Sequence, residues 1–153
     1  QFQRLSVAQI GLLSAIPHAC AVGGMTLWGI SSDRRNERRW HLAIAAVVAA
    51  SGWALAASSE SPVLVLVGFC LAQTGVMSML PVFWTLPTAF LTGAAAAGGI
   101  ALINSLGNIG GFLGAQILGF FGLWAIAACL LAGAILAMMV AERTKTIEEE
   151  LKN

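Results

Sequence analysis

The chain has 153 residues, of which 58% are hydrophobic and only 10% are charged, and its net charge is +1. A soluble domain carries about 25% charged residues, whereas residues 61–141 contain no Asp, Glu, Lys or Arg. This distribution excludes a water-exposed globular surface over that stretch and predicts an integral membrane protein. The balanced charge gives no reason to expect a nucleic-acid partner.

Apolar runs are the main elements of the chain, and we interpret them as helices because a backbone in lipid must satisfy its hydrogen bonds internally. A span needs about 20 mostly apolar residues. The predicted spans are about 6–30, 42–59, 63–83, 99–119 and 122–141. We expect 84–98 to be an interfacial connector, with at most a short helix, and 142–153 to be a polar tail. The sequence therefore predicts an all-α polytopic bundle of about five transmembrane helices.

The first run contains polar residues that could meet a ligand. His18 is the one histidine inside a predicted span, Ser14 lies one turn before it, and Pro17 adjoins it. A proline inside a helix removes one backbone hydrogen bond and can leave a carbonyl free. His18 and Ser14 are therefore candidates for a substrate path, where the histidine would exchange a proton or bind a carboxylate. The alternative is a neutral histidine bonded to a neighbouring helix.

Charge is concentrated between the first two runs, with six charged side chains among the seven residues 33–39. An arginine at the centre of a bilayer costs about 2.5–3.5 kcal/mol, and basic loops stay on the cytoplasmic side. The tail also carries Arg143, Lys145 and Lys152. If both basic segments are cytoplasmic, an even number of spans separates them and residue 1 is external. We therefore predict a cytoplasmic C-terminus and further helices preceding this chain.

Amides inside the later runs are further candidates for a substrate path. Gln73 lies in the middle of the third run, and Asn104 and Asn108 share one helix face in the fourth because they are four residues apart. Polar side chains within a span usually face a bundle interior or a cavity, but they also join helices by hydrogen bonds, and both interpretations stay open. Gly107 and Gly110 lie on a neighbouring stripe that would allow close helix approach.

The cysteines do not suggest a cofactor or a metal site. Cys20, Cys70 and Cys129 are far apart, each lies inside an apolar run, and none belongs to a CxxC pair. We therefore expect three small buried hydrophobic side chains, with no disulfide and no bound metal.

Two stretches resemble a known family. The loop pattern G-x-x-S-D-R-x-x-E-R-R-x-H, residues 29–41, resembles the cytoplasmic loop motif of the major facilitator superfamily in its second-half copy. Residues 81–114, "PVFWTLPTAFLTGAAAAGGIALINSLGNIGGFLG", closely resemble the anion:cation symporter branch of that superfamily. Asn36 stands where the family usually has glycine, and asparagine tolerates the left-handed conformation that such a turn needs.

The resemblance implies a fold and a function. It implies that the five runs are helices 8–12 of a twelve-helix transporter, which is a partial C-terminal half of the major facilitator fold. It further implies a secondary active transporter of small organic anions, driven by symport of a proton or another cation, in the bacterial inner membrane. Asn104 and Asn108 would lie beside the central cavity. The cytoplasmic gate motif would comprise Gly29, Asp33, Arg34, Arg38 and Arg39, with Asp33 near the start of the fourth run.

Two other classes compete with a transporter. A membrane enzyme would need a catalytic constellation within the bilayer, and the sequence contains no Ser/His/Asp set, no paired carboxylates and no cluster of metal ligands. We therefore expect that the chain is not an enzyme. A non-catalytic integral membrane subunit is the remaining alternative.

Overall fold

The computed structural model of the protein describes residues 6–150, with side-chain surroundings for all of these except 89–90, 117, 120 and 140–150. Over this range the chain forms helices and no strand. In order these are α1 (Val7–Arg35), α2 (Arg39–Ser58), α3 (Pro62–Phe90), α4 (Gly93–Phe121) and α5 (Leu123–Glu150). The prediction of an all-α polytopic bundle is therefore confirmed.

Four of the helices contain segments that are long and apolar enough to cross a membrane. These segments are Val7–Arg35, Arg39–Ser58, Pro62–Thr88 and Gly93–Gln116. The described apolar part of α5, Leu123–Met139, is shorter. At 1.5 Å per residue it falls somewhat below the hydrocarbon thickness of about 30 Å.

The predicted connector 84–98 is almost entirely helical. Helix α3 continues past residue 83, α4 begins at Gly93, and only Leu91 and Thr92 separate them. Pro87 lies inside α3, where the Thr88 hydroxyl donates to a carbonyl of the preceding turn at 2.9 Å. Helix α3 continues through this proline to Phe90, and the alanine run 94–97 favours helix after the break. The predicted tail is likewise helical, because α5 runs to residue 150.

Helices α2 and α3 pack antiparallel with their backbones in direct contact. A Cβ atom added to Gly52 would lie 2.3 Å from the backbone nitrogen of Ala72, and one on Gly75 would lie 2.5 Å from that of Ala49. A Cβ on Gly68 would lie 2.8 Å from the carbonyl oxygen of Gly52. Real Cβ atoms do not approach backbone atoms this closely, so glycine is required at these positions for the two helices to meet.

The other helices are arranged around this pair. Helix α1 runs parallel to α3, and a Cβ on Gly24 would meet the side chain of Thr74. Helix α5 packs against α2 on the other side, where Ala43 and Ala134 form a small buried cluster. Helix α4 has no buried residue among those whose surroundings are described, and it lies at the edge of the bundle.

Candidate functional site

The N-terminal halves of α1 and α3 line an open cleft of about 700 Å³. We call it the α1–α3 cleft, and α2 contributes Trp53 to its wall. Its volume lies within the range of about 300–1,000 Å³ that is usual for small-molecule sites. The lining residues are Ile10, Leu13, Ser14, Pro17, His18, Trp53, Pro62, Val63, Val65, Leu66, Phe69 and Gln73.

The position of the cleft follows from the packing of α1 on α3. Their close approach at Gly24 and Thr74 lies further along both helices than the residues that line the cleft. Pro17 is buried at the boundary between these two parts of α1. Because proline lacks an N–H, the carbonyl of Leu13 loses its usual helical donor. The cleft therefore begins where the close packing of α1 against α3 ends.

His18 and Ser14 both line the cleft, and each forms a hydrogen bond with its own helix. The Nδ1 atom of His18 lies 2.9 Å from the carbonyl oxygen of Ser14. The Ser14 hydroxyl donates to the carbonyl oxygen of Gly11, also at 2.9 Å. Neither side chain bonds to a neighbouring helix within the described residues. Since a backbone carbonyl can only accept, Nδ1 of His18 carries a hydrogen and Nε2 is left to meet a ligand.

Trp53 and Gln73 supply the other polar groups of the cleft. The indole nitrogen of Trp53 is buried and has no hydrogen-bond partner among the described residues. Its ring meets the edge of Phe69, with ring centroids 5.7 Å apart. The sequence alone suggests a packing role for Trp53, which is absent from the predicted site residues. The signal in the sequence that could have identified Trp53 as a site residue is its position in the middle of a predicted span, because a buried indole N–H usually has a hydrogen-bond acceptor.

Asn104 and Asn108 do not share the cleft with His18 and Gln73. Both asparagines are exposed on α4, at the edge of the bundle, and neither makes a side-chain hydrogen bond in the described part of the chain. Gly107 has open space around it in this structure. A role for the two asparagines in a substrate path stays a prediction.

The loop between α1 and α2 forms a tight, hydrogen-bonded turn. Asn36 ends α1 in the left-handed conformation, with φ of 48°, and its N–H bonds back to the Asp33 and Ser32 carbonyls. The guanidinium of Arg38 donates to the Asp33 carboxylate and to the hydroxyl of buried Ser32. That hydroxyl in turn donates to the Glu37 carbonyl oxygen at 2.7 Å. Within the described residues Asp33 bonds to Arg38 and makes no hydrogen bond to the start of α4.

The remaining residues of the predicted gate motif surround this turn. Gly29 lies where α1 passes Pro81 of α3, since a Cβ on the glycine would stand 3.7 Å from the proline ring. Arg34 is exposed in the last turn of α1, where a positive charge is favoured by the helix dipole. Arg39 is the half-buried first residue of α2. Gating by these residues stays a prediction.

A second polar network ties the start of α2 to α1. The Glu37 carboxylate accepts from the backbone N–H of Trp40 at 2.9 Å and from Nδ1 of His41 at 3.0 Å. Nε2 of His41 lies 3.1 Å from the Ser31 hydroxyl, and the Trp28 indole donates to the His41 carbonyl oxygen at 2.9 Å. His41 is buried, with 6% of its surface exposed. The sequence gives no indication of this network, because its partners lie on two helices.

The environment of Glu37 favours its ionised form. Partial burial is the largest single influence and raises the pKa of its carboxyl. Hydrogen bonds from the Trp40 backbone, from the His41 side chain and backbone, and from the Arg39 backbone together outweigh it and lower the pKa below its usual value. Glu37 therefore places a stable negative charge at the N-terminus of α2, where the helix dipole favours one.

The cysteines differ from the expectation of three buried side chains. All three are free thiols, but Cys20 and Cys129 are exposed and Cys70 is half-buried. The reason is the membrane character of the chain, because apolar side chains on a helix in lipid can face outward without penalty.

Proteins similar to this chain are named as transporters. A protein of Agrobacterium vitis named "Putative tartrate transporter" is 40% identical over 159 residues, which cover 97% of this chain and 35% of that protein. A quinolone resistance transporter of Acinetobacter baumannii is 39% identical, with 95% of this chain and 36% of the relative covered. An inner membrane transport protein of Escherichia coli strain K12 is 39% identical over 67% of this chain and 24% of its own length. No family model and no solved structure matches the chain.

This chain spans about a third of the length of the first two relatives. All three relatives carry the names of transporters and not of enzymes, in agreement with the expectation from the sequence. Together with the apolar helices, the similarity over nearly the whole chain identifies an integral membrane protein. This similarity fits a fragment of a transporter of the major facilitator type, in agreement with the resemblance of residues 29–41 and 81–114.

Proposed function

We propose that the chain is the C-terminal part of a secondary active transporter that moves small organic anions together with a proton or another cation. The observation that carries this proposal is the similarity, over 97% of the chain, to a protein named as a tartrate transporter. Tartrate is a small dicarboxylate, which agrees with the anion:cation symporter resemblance of residues 81–114. The similarity to an inner membrane protein supports the bacterial inner membrane as its location.

Alternating access would require helices beyond those of this chain. Transporters of this kind rock two helical halves about a site near the middle of the bilayer. The five predicted spans contain no Arg or Lys. An anion would therefore meet hydrogen-bond donors of His18, Gln73 and Trp53 on this side, and cationic side chains on preceding helices. The chain alone would supply part of the path and would not transport.

The proposed orientation places the α1–α2 turn on the cytoplasmic side. Its arginines favour that side, and with four crossings between them the basic residues of the tail would lie on the same side. The N-terminal ends of α1 and α3 would then be external, and the α1–α3 cleft would occupy the external half of the membrane. The Asp33–Arg38 pair would lie at the opposite, cytoplasmic end.

We expect Asp33→Asn to shift the transporter towards its inward-open state. The substitution removes the carboxylate that Arg38 holds across the turn. Because exposed ion pairs contribute about 0.2–1 kcal/mol, we expect at most an approximately fivefold change in the population of the two states. The measurement is the rate at which an impermeant thiol reagent labels Cys20 from each side of membrane vesicles containing the complete transporter, with the other cysteines replaced by serine.

Glu60→Gln is the matched control, because Glu60 is an exposed carboxylate in the turn at the opposite end of α2. It should leave the labelling rates unchanged. Equal rates in Asp33→Asn and in the unmodified transporter would contradict a gating role for Asp33.

Reconstitution tests the transport proposal directly. We expect the complete transporter in liposomes to accumulate radiolabelled tartrate or benzoate when an inward cation gradient is imposed, because the driving ion falls down its gradient with the anion. Proton and sodium gradients would be imposed in turn, and an ionophore that collapses the active gradient should abolish uptake. Liposomes containing the 153-residue chain alone, or no protein, are the controls. A complete transporter that accumulates none of a panel of carboxylates under either gradient would refute the proposal.

A further inference from the structure

We propose that the α1–α3 cleft binds the carboxylate of an apolar organic acid together with one proton, and that His18 holds both. This inference deepens the proposed function and rests on it for its physiological meaning. Binding and proton uptake can nevertheless be measured without transport. Three features support it: the hydrogen bond between His18 and Ser14, the apolar lining of the cleft, and the scarcity of other polar groups there.

The bond to Ser14 determines what His18 can offer a ligand. A neutral imidazole carries one N–H donor and one acceptor nitrogen. The Ser14 carbonyl lies 2.9 Å from Nδ1 and holds the hydrogen on that nitrogen. Neutral His18 therefore presents the lone pair of Nε2, which repels a carboxylate, because an ionised carboxylate also only accepts hydrogen bonds. When Nε2 takes a proton from water, it becomes a positively charged donor and can bind the carboxylate.

The apolar lining couples the two binding events. Ile10, Leu13, Val63, Leu66 and Phe69 contribute hydrocarbon to the wall of the cleft. His18 itself is exposed in the open cleft, so its charge is partly solvated, but an ion pair beside these apolar walls is stronger than one in bulk water. A carboxylate in the cleft is repelled by the lone pair of neutral His18 and attracted by the imidazolium. Proton and anion therefore stabilise each other, which is the thermodynamic requirement for symport.

No other lining side chain competes for the proton. Helix α2 contributes Trp53 to the cleft, and α3 contributes Gln73 and apolar residues, none of which titrates near neutral pH. Among the described residues of α1 and α3, the nearest titratable groups along each helix are the thiols of Cys20 and Cys70, which do not line the cleft. Where side-chain surroundings are described, α4 and α5 contribute no lining residue. The expected stoichiometry is therefore one proton for each carboxylate.

The polar groups also indicate the class of acid. Besides His18, the cleft offers the Gln73 amide, the Trp53 indole and a Ser14 hydroxyl that is already bonded to Gly11. On this side of the path a polyhydroxylated diacid such as tartrate would find few partners and would depend on polar groups of preceding helices, since each group left unsatisfied costs about 1–3 kcal/mol. An acid with one carboxylate and an aromatic or branched body matches the lining. The volume of about 700 Å³ accommodates a two-ring body.

Calorimetry on the full chain in lipid nanodiscs tests this inference with 2-naphthoate as the ligand and 2-naphthamide as its neutral analogue. Titrations between pH 5 and 8, in buffers of different ionisation enthalpy, count the protons taken up. We expect one proton to be taken up for each naphthoate bound, and the affinity to fall by up to tenfold for each unit by which the pH is raised, as the linkage of binding to one proton requires. Naphthamide should show neither effect.

Two variants on α1 separate the role of His18 from a general effect on the helix. His18→Gln keeps a hydrogen-bond donor but cannot titrate, so naphthoate binding should lose its pH dependence and its proton uptake. Thr26→Val is the matched control, because the Thr26 hydroxyl also bonds to its own helix, at 2.8 Å from the Val22 carbonyl oxygen, outside the cleft. It should bind like the unmodified chain. Circular dichroism verifies that both variants keep their helices.

The outcomes distinguish this inference from the proposed function. Absence of naphthoate binding, binding without proton uptake, or proton uptake that persists in His18→Gln would each overturn the inference and leave organic-anion transport standing. Proton-linked binding that disappears in His18→Gln would uphold it. If such binding is found but the complete transporter moves no carboxylate, the proposed function fails and the binding site stands.

Discussion

Replacing Gly52 by leucine is expected to prevent α2 and α3 from packing together. A Cβ at this position would lie 2.3 Å from the Ala72 nitrogen and 2.6 Å from the Gly68 carbonyl oxygen. Both are backbone atoms, so no side-chain rotation relieves the overlap, and the two helices would have to separate. An extra carbon in a packed interior costs about 1–3 kcal/mol. Alanine should therefore already lower the unfolding temperature, and leucine should abolish the monodisperse folded protein.

Thermal unfolding of the detergent-purified chain measures this effect. A loss of 1 kcal/mol lowers the unfolding temperature by about 2–4 °C for a domain of this size. Gly23→Ala is the matched control, because a Cβ on Gly23 meets nothing within 4 Å. Its unfolding temperature should stay unchanged or rise slightly, since alanine favours helix over glycine. If Gly52→Ala unfolds at the same temperature as Gly23→Ala, the backbone contact between α2 and α3 is wrong.

The glycine contact between α2 and α3 is indicated only in part by the sequence. The stripe of glycines in α4 is the more conspicuous pattern, yet Gly107 and Gly110 face open space in this structure. The close contact uses Gly52 and Gly75 of α2 and α3, which also lie among small residues at helical spacing. Small side chains permit two helices to approach, but they do not specify which helix is the partner. The choice depends on the arrangement of the whole bundle.

The helical class was predictable, whereas two of the helix ends were not. An 81-residue stretch without charge, 61–141, requires helices if it lies in lipid. The proline and threonines of the segment 84–98 predict a connector, because such residues commonly mark a helix end in water. In α3 the same threonines bond to the preceding turn and accompany a continuous helix. Proline and threonine are therefore compatible both with a helix end and with a continuous helix.

The sequence indicates individual residues of the candidate site but not their arrangement in space. His18, Ser14 and Gln73 are distinctive because they are polar within apolar runs, and the structure brings all three to one cleft. The pairing of residue 18 with residue 73 depends on the register between α1 and α3, which no local pattern contains. Trp53 was missed for the same reason, since its significance lies in a buried N–H without an acceptor among the described residues.

Replacing Glu37 by alanine is expected to destabilise the junction of α1 and α2 by about 2 kcal/mol, because hydrogen bonds to a charged group contribute roughly 1.5–3 kcal/mol. The N-cap residue of α2, Arg38, makes no side-chain capping bond. The Glu37 carboxylate takes over that function, at 2.9 Å from the Trp40 nitrogen and 3.2 Å from the His41 nitrogen. Its loss also leaves the buried His41 ring without its carboxylate partner. The measurement is the unfolding temperature at neutral pH.

The pH dependence of this effect distinguishes a charged cap from simple packing. The hydrogen bonds lower the pKa of Glu37 below its ordinary value of 4.5. Its contribution is therefore complete above pH 4.5 and is lost as the pH falls through the lowered pKa. The difference between the unmodified chain and Glu37→Gln should be largest at neutral pH and shrink in acid. Glu60→Gln, which changes an exposed carboxylate, should show no difference at either pH. If Glu37→Gln and Glu60→Gln unfold alike at neutral pH, the ionised carboxylate of Glu37 does not stabilise the start of α2.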